Sequence, residues 1–156
     1  MTPLECAEAM VLFFKEKLRE YDEQTEKKEE YNVYVGYLPL VTKREEMKAL
    51  CPAVVVRPLE VNDSEKETSV LMGVYVTTYD EDKKFGCNEL YHILEFLRFH
   101  LLANNPTGRK WLLVPGTMTT SIPDEQPYPQ WWGRIDFAIY LPQPKRNNSD
   151  IFDILK

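Results

Sequence analysis

Apolar residues fall in two distinct rhythms along this chain. Near the start, Leu4, Ala7, Val11, Phe14, Leu18 and Tyr21 recur at spacings of three and four, one face of a helix with 3.6 residues per turn. Met10 and Phe13 widen the stripe, and such a stripe is core-forming. Thr2-Pro3-Leu4-Glu5 opens it with a capping box and a proline at the first helical position. The dense charged run Glu20–Glu30 reads as a solvated helix end and turn. A second helical stripe, Leu90, Ile93, Leu94, Leu97 and Leu101, predicts a helix from Asn88, a candidate cap, to about Leu102. Asn104-Asn105-Pro106-Thr107-Gly108 stops it.

Between and after these helices the period drops to two. Tyr31–Tyr37 alternates and is stopped by Pro39. Lys43–Leu50 predicts a short helical turn before Pro52. Ala53–Arg57 is β-branched and reads as a buried strand ended by Pro58, with Val61–Glu67 as a polar loop. Ser69–Tyr79 is the clearest strand: Val70, Met72, Val74 and Val76 lie on one face, and Leu71, Gly73, Tyr75 and Thr77 on the other. Apolar groups on both faces predict cover on both sides or a partner on one. Asp80–Gly86 is a charged turn, Trp111–Val114 and Met118–Ile122 are short strands parted by Pro115-Gly116, and Pro123–Pro129 is a proline-punctuated acidic loop. The last strand is Trp131–Leu141, with Ile135, Phe137, Ile139 and Leu141 on one face. Adjacent Trp131 and Trp132 point to opposite faces, so either one enters the core and the other looks outward beside Tyr128 as an interface anchor, or both rings pack within one protomer.

The order of elements lacks a regular strand–helix–strand alternation, which argues against a doubly wound parallel fold. The expected class is α+β: a mixed, mainly antiparallel sheet of about four to six strands with two helices packed on one face. At 156 residues, folding buries about 70% of the unfolded chain's surface, enough for one core. Residues 1–142 form the expected single domain. Residues 143–156 form a polar linker and the apolar segment Ile151-Phe152-Asp153-Ile154-Leu155-Lys156, a candidate docking hook or a frayed end.

Charge and chemistry narrow the function. A net charge of −6 without a Lys/Arg cluster disfavours tight phosphate binding. The longest apolar runs are too short to cross a bilayer, so no membrane partner is expected, and the first residues lack the features of a secretory signal. Cys6, Cys51 and Cys87 are too few and too widely spaced for a disulfide framework and read as reduced, partly buried thiols. The six glycines match no phosphate-binding loop, and no serine sits in a nucleophile elbow. His92 and His100 stand eight residues apart on the second helix, or about 12 Å along its axis, too far to share a metal. The carboxylate groups at 80–82 and 124–125 follow no calcium-loop pattern. The expectation is therefore no catalytic residue, no metal and no cofactor, although carboxylates distant in sequence can still meet in space.

Two stretches carry a resemblance. One is Gly36-Tyr37-Leu38-Pro39, then Lys43-Arg44-Glu45-Glu46, then Cys51-Pro52-Ala53-Val54-Val55-Val56-Arg57-Pro58. The other is Asp124-Glu125-Gln126-Pro127-Tyr128-Pro129-Gln130-Trp131-Trp132-Gly133, running on to Leu141-Pro142. Together they resemble the tail-terminator or tail-completion proteins, minor tail proteins of long-tailed bacteriophages found in phage and prophage structural modules. The likeness spans about residues 31–142. It implies a non-catalytic structural protein of the virion, made in the host bacterial cytoplasm. It also implies a homo-oligomeric six-fold ring that caps the tail tube, contacts tail-tube and head-connector proteins, and lets DNA pass without tight binding. Candidate ring-interface residues are Tyr75, Tyr128, Trp131, Trp132, Ile151 and Phe152. Candidate acidic residues at the lumen or rim are Asp63, Glu65, Glu67, Asp80, Glu81 and Asp82. The alternatives are another phage tube, connector or adaptor subunit of similar fold, or a small enzyme or ligand-binding domain with a non-local site.

Overall fold

The computed structural model describes residues 2–25, 31–103 and 111–144. The expected helix stop at 104–108, part of the charged run 20–30, most of the polar linker and the hook 151–156 lie outside the described residues.

In chain order the elements are α1 (Pro3–Thr25), β1 (Asn32–Val35), α2 (Arg44–Leu50), β2 (Ala53–Asp63), β3 (Thr68–Tyr79), α3 (Asn88–Ala103), β4 (Leu112–Leu113), β5 (Thr119–Ser121) and β6 (Gln130–Leu141). The fold is α+β. The six strands form one mixed sheet ordered β1-β2-β3-β6-β4, with β5 also on β6. Only β1 and β2 run parallel among these pairs; the rest are antiparallel.

The start of α1 and its inner face follow from local chemistry. The Thr2 hydroxyl accepts from the Glu5 N–H, and the Glu5 carboxylate accepts from the Thr2 N–H, each at 3.1 Å, which satisfies two of the helix's orphan donors. Cys6, Ala7, Met10, Val11, Phe13, Phe14 and Leu18 are buried. Leu4, expected in the stripe, is 53% exposed. α1 lies over β1 and β2, and α3 over β3 and β6. The two meet through Tyr21 and Phe96, whose ring centroids are 4.7 Å apart. α3 buries all five residues of its predicted stripe and begins on Asn88 itself.

Facing the helices, the sheet presents Val54, Val56, Val70, Met72, Val74, Val76, Ile135, Phe137 and Ile139, all fully or almost fully buried. One hydrophobic cluster runs from Cys6 to Leu141. Only one face of the sheet is covered by a helical layer. The alternation in β3 therefore places its second apolar set, including Tyr75, on the open face.

Two strand boundaries differ from expectation for one reason. Pro58 does not end β2, which continues to Asp63, and the polar loop shrinks to a turn between Asp63 and Thr68. β1 pairs only with Ala53–Val56, so beyond Val56 the outer edge of β2 is unpaired. A proline there removes no ladder hydrogen bond. A β-bulge between Pro58 and Glu60 inserts Leu59 on the open side. Ser64 closes the turn by accepting from the Glu67 N–H and donating to the Glu67 carbonyl.

On its other edge β6 is shared end to end: β4 pairs with Tyr140 and Ile139, and β5 with Asp136, Ile135 and Arg134. Between them the Thr117 hydroxyl accepts from the Ala138 N–H at 3.1 Å, a side chain standing in where neither short strand reaches. Gly133 sits where β6 passes under α3. A Cβ there would lie 2.7 Å from Leu94 Cδ1, 3.1 Å from Ile122 Cγ1 and 3.2 Å from the Ser121 carbonyl oxygen. Gly133→Ala is expected to destabilise the protein by about 1–3 kcal/mol through overpacking, measured by urea unfolding.

Candidate functional site

The candidate site is a cleft on the open face of the sheet, built where two chain reversals lean over it. The first is Gly36. Its N–H donates to the Val56 carbonyl at 2.9 Å, and its φ of +89° turns the chain through a conformation that glycine adopts without strain. That turn brings Tyr37 over Arg57 of β2 and sets Leu38 and the fully exposed Leu40 at the cleft wall. The second is the loop from Pro123 to Pro129. Gln126 holds it as a backbone would: its Oε1 accepts from the Trp132 N–H at 2.7 Å. Its Nε2 donates to the Pro123 carbonyl at 2.7 Å and to the Trp132 carbonyl at 3.0 Å. The loop also docks on the turn after β3. Tyr128 donates to the Glu81 carbonyl, Trp131 Nε1 donates to the Asp80 carbonyl at 3.0 Å, and the Asp80 N–H donates to the Pro129 carbonyl at 2.9 Å. The peptide bonds before Pro52 and Pro129 are cis.

Between these reversals lies a cavity of about 620 Å³ lined by Tyr37, Leu38, Leu40, Val55, Arg57, Tyr75, Val76, Thr77, Pro127, Gln130 and Trp132. Arg57 is the one charged residue in this lining. Its guanidinium carbon lies 4.2 Å from the centroid of the Tyr37 ring and 4.3 Å from that of Tyr75. Tyr75 in turn stacks on Trp132, with ring centroids 6.4 Å apart and planes at 27°. The four side chains form one continuous stack across β2, β3 and β6. Contact of a cation with two aromatic faces stabilises it by about 0.5–2 kcal/mol per face. It leaves the guanidinium's edge free, however, and Arg57 Nε is buried without a hydrogen-bond partner among the described residues. Nearby on the same face, Arg134 Nε is paired with Asp136 Oδ2 at 3.1 Å. Within the cleft lining the charge is that of Arg57; on the same face Glu60 stands opposite Leu71, and Asp136 Oδ1 is buried without a hydrogen-bond partner among the described residues.

Gly73 makes the stack possible. A Cβ at this position would lie 2.9 Å from the Tyr75 ring and 3.0 Å from Leu59 Cδ1. Both side chains thus occupy the space that any other residue would fill.

The predicted site residues divide by face and by end of the sheet. Tyr75 and Trp132 belong to the cleft. Trp131 points the other way, partly buried against the core, so the two tryptophans split as their adjacency on a strand requires. Tyr128 is exposed but meets Trp131 edge-on at 6.2 Å and anchors the loop. Ile151 and Phe152 lie outside the described residues. The acidic set is not brought together: Asp63, Glu65 and Glu67 flank the β2–β3 turn, and Asp80, Glu81 and Asp82 follow β3. The twelve residues of β3 separate the two groups by about 40 Å. Asp63 accepts from the Thr68 hydroxyl, Asp80 from the Asp82 N–H, and Asp82 from the Lys84 and Phe85 N–H groups. These last two bonds hold the Asp82 carboxyl below the usual range.

Sequence reasoning did not single out Arg57, Tyr37 or Gly73. Tyr37 lay within a quoted motif and Arg57 at a strand end, but only the register Arg57↔Gly73 and the turn at Gly36 bring them together.

Other candidate chemistry stays apart. Cys6, Cys51 and Cys87 are thiols not joined in disulfides. His92 is exposed on α3. His100 is partly buried beside Phe96 and Phe99, and this burial is the main cause that lowers its pKa. Among the described residues no group of three or more His, Cys, Asp or Glu is placed to hold a metal ion, and no helix is long and apolar enough to cross a membrane. No protein-family model matches the chain, and comparison with curated proteins finds no match.

At the rim of the cleft, Cys51 Sγ contacts the Thr77 hydroxyl at 4.0 Å. Burial pushes its thiol above the ordinary range; the Thr77 hydrogen bond acts against this shift and the Glu89 carboxylate adds to it. A raised pKa means less thiolate at a given pH. Iodoacetamide is therefore expected to alkylate Cys51 more slowly in the folded protein than in urea at about pH 8. The gap should narrow as the pH rises, as read by mass spectrometry. A second expectation concerns the stack itself. Arg57→Ala should cost about 1–2 kcal/mol and change the near-ultraviolet circular dichroism of the Tyr75–Trp132 pair. An unchanged spectrum would show that the guanidinium does not order the rings.

Proposed function

We propose that this chain is a non-catalytic structural subunit of the tail-completion kind, which caps a phage tail tube as a ring and joins tail to head. The observation that carries the reading is the open sheet face. A sheet covered by helices on one side presents on its other side an ordered aromatic and aliphatic surface, from Leu38 and Tyr37 through Tyr75 to Trp132. Aromatic residues and arginine are the side chains enriched at interface centres. Their order here comes from packing within the protomer, which lowers the entropic cost of association.

Three further features support it. A ring needs two different patches that meet head to tail, and this face offers one. The β2–β3 hairpin offers another on the opposite side, where Val61, paired with Val70, is 49% exposed. Finally, acidic groups at both ends of β3, with an overall charge of −6, suit a passage that repels phosphates. The partners in this reading are further copies of the chain, the tail-tube protein and the head connector, with DNA passing through. The place of action is the head–tail junction of the virion.

The cleft itself favours one second reading, a binding domain for a small amphipathic anion, since its volume lies within the roughly 300–1,000 Å³ typical of ligand sites. Trp132→Ala separates the two. It removes a partly exposed ring from the open face and is expected to leave folding intact. In a phage carrying it, tails should lose their uniform length and fail to join heads, as seen by electron microscopy. Uniform, head-joined tails in that mutant would overturn the structural reading.

A further inference from the structure

The charge of the cleft narrows what it can hold. Arg57 is its one charged lining residue, and among the described residues the guanidinium makes no ion pair. The carboxylates nearest in register do not answer it. Glu60, opposite Leu71, is exposed, and Asp136, opposite Gly73, gives Oδ2 to Arg134. Neither lines the cleft. Both faces of the guanidinium are covered, by Tyr37 at 4.2 Å and Tyr75 at 4.3 Å. Its Nε is buried as well, so the terminal nitrogens are the edge that can meet a ligand. A planar carboxylate fits such an edge as a two-pronged fork. A phosphate dianion brings a second charge that no other lining residue balances, and stripping its water against apolar walls is costly.

The remaining lining sets the body of the ligand. Arg57 stands opposite Gly73, and Thr77 lies four residues further along β3, about 13 Å away. Over that length the lining is Val55, Tyr75 and Trp132, and its far end, Thr77 and Gln130, is polar but neutral. The occupant therefore carries its single charge at one end, with an apolar body behind it. The rings of Tyr75 and Trp132 favour a flat aromatic body, which gains contact beyond its buried area. The turn at Gly36 and the loop held by Gln126 close the two ends of the cleft. A compact molecule fits between them, whereas an extended peptide would have to pass over both.

We propose that the open-face cleft binds a small aromatic monocarboxylate, its carboxylate on the terminal nitrogens of Arg57 and its ring against Tyr75 and Trp132. This rests on the second reading above, the site for an amphipathic anion, and names the ligand class. It concerns the isolated chain, so its outcome is independent of tail assembly.

The test titrates the intact protein, labelled with ¹⁵N, with 3-phenylpropanoate. Expected is a saturable movement of the Arg57 Nε–H and Trp132 indole N–H signals, half complete below about 1 mM. The indole signal of Trp111, which packs on Phe13 in the core, should stay in place. The neutral isostere 3-phenylpropanamide should bind at least about tenfold more weakly, because it loses the charge-assisted fork. Arg57→Gln should bring the acid down to the level of the amide. The acid–amide comparison on the native chain keeps the test decisive where that variant folds poorly. Signals that stay in place up to about 10 mM acid, or equal binding of acid and amide, overturn the proposal. So does tighter binding of a blocked tripeptide of leucine, aspartate and phenylalanine, which would make the cleft a site for a protein partner. Tighter binding of phenyl phosphate overturns the carboxylate assignment and leaves the amphipathic-anion reading standing; no binding of either anion removes both.

Discussion

Twelve uninterrupted residue pairs join β3 to β6, from Thr68↔Leu141 to Tyr79↔Gln130, and almost everything else in the molecule is placed by them. Side chains alternate along a strand, so a slip of one residue would carry every buried group to the opposite face. The register is held because Val70, Met72, Val74 and Val76 in β3 and Ile135, Phe137 and Ile139 in β6 all require the same side. That side is the floor on which α1 and α3 pack. With those residues committed, the intervening set, Tyr75, Trp132, Arg134 and Asp136 among them, has only the open face to occupy.

The same constraint explains why the open face is ordered. Tyr75 and Trp132 stack because the sheet holds their backbones at fixed spacing, and Arg57 lies over Tyr75 because β2 is registered to β3 through Arg57↔Gly73. The absent side chain at Gly73 makes the room. The loop from Pro123 to Pro129 closes one end through Gln126, and the left-handed turn at Gly36 closes the other. A surface with this much internal support loses little entropy when something binds to it. That physical link connects the packing of the chain to the proposed role in assembly.

The acidic residues follow a different logic. Asp80 and Asp82 spend their carboxylates on backbone N–H groups of the turn between β3 and α3, and Asp63 accepts from Thr68 beside the hairpin turn. Their first effect is local structure. In the proposed ring, any effect on passing DNA would come from the field they add at each end of the sheet, without a cluster to concentrate it.

Much of the architecture was legible in the residues alone. The capping box at Thr2–Glu5, the two helical stripes, the alternation in β3 and β6, and the division of Trp131 and Trp132 between faces are all local patterns. Helix and strand periods are properties of consecutive residues, so a linear reading finds them. Three features needed the tertiary structure. Pro58 continues a strand because β1 is too short to pair with it, Leu4 is exposed although its spacing puts it in the buried stripe, and Gln126 acts as a strand partner of Trp132. The cleft belongs with these. Tyr37, Arg57, Tyr75 and Trp132 come from four separate stretches, and nothing in their spacing announces the stack. The sequence by itself determined which residues share a face, because alternation is covalent geometry. Which of the two faces would be covered, and which four side chains would meet on the bare one, depended on strand order and register, since those are settled only when distant segments compete for the same core.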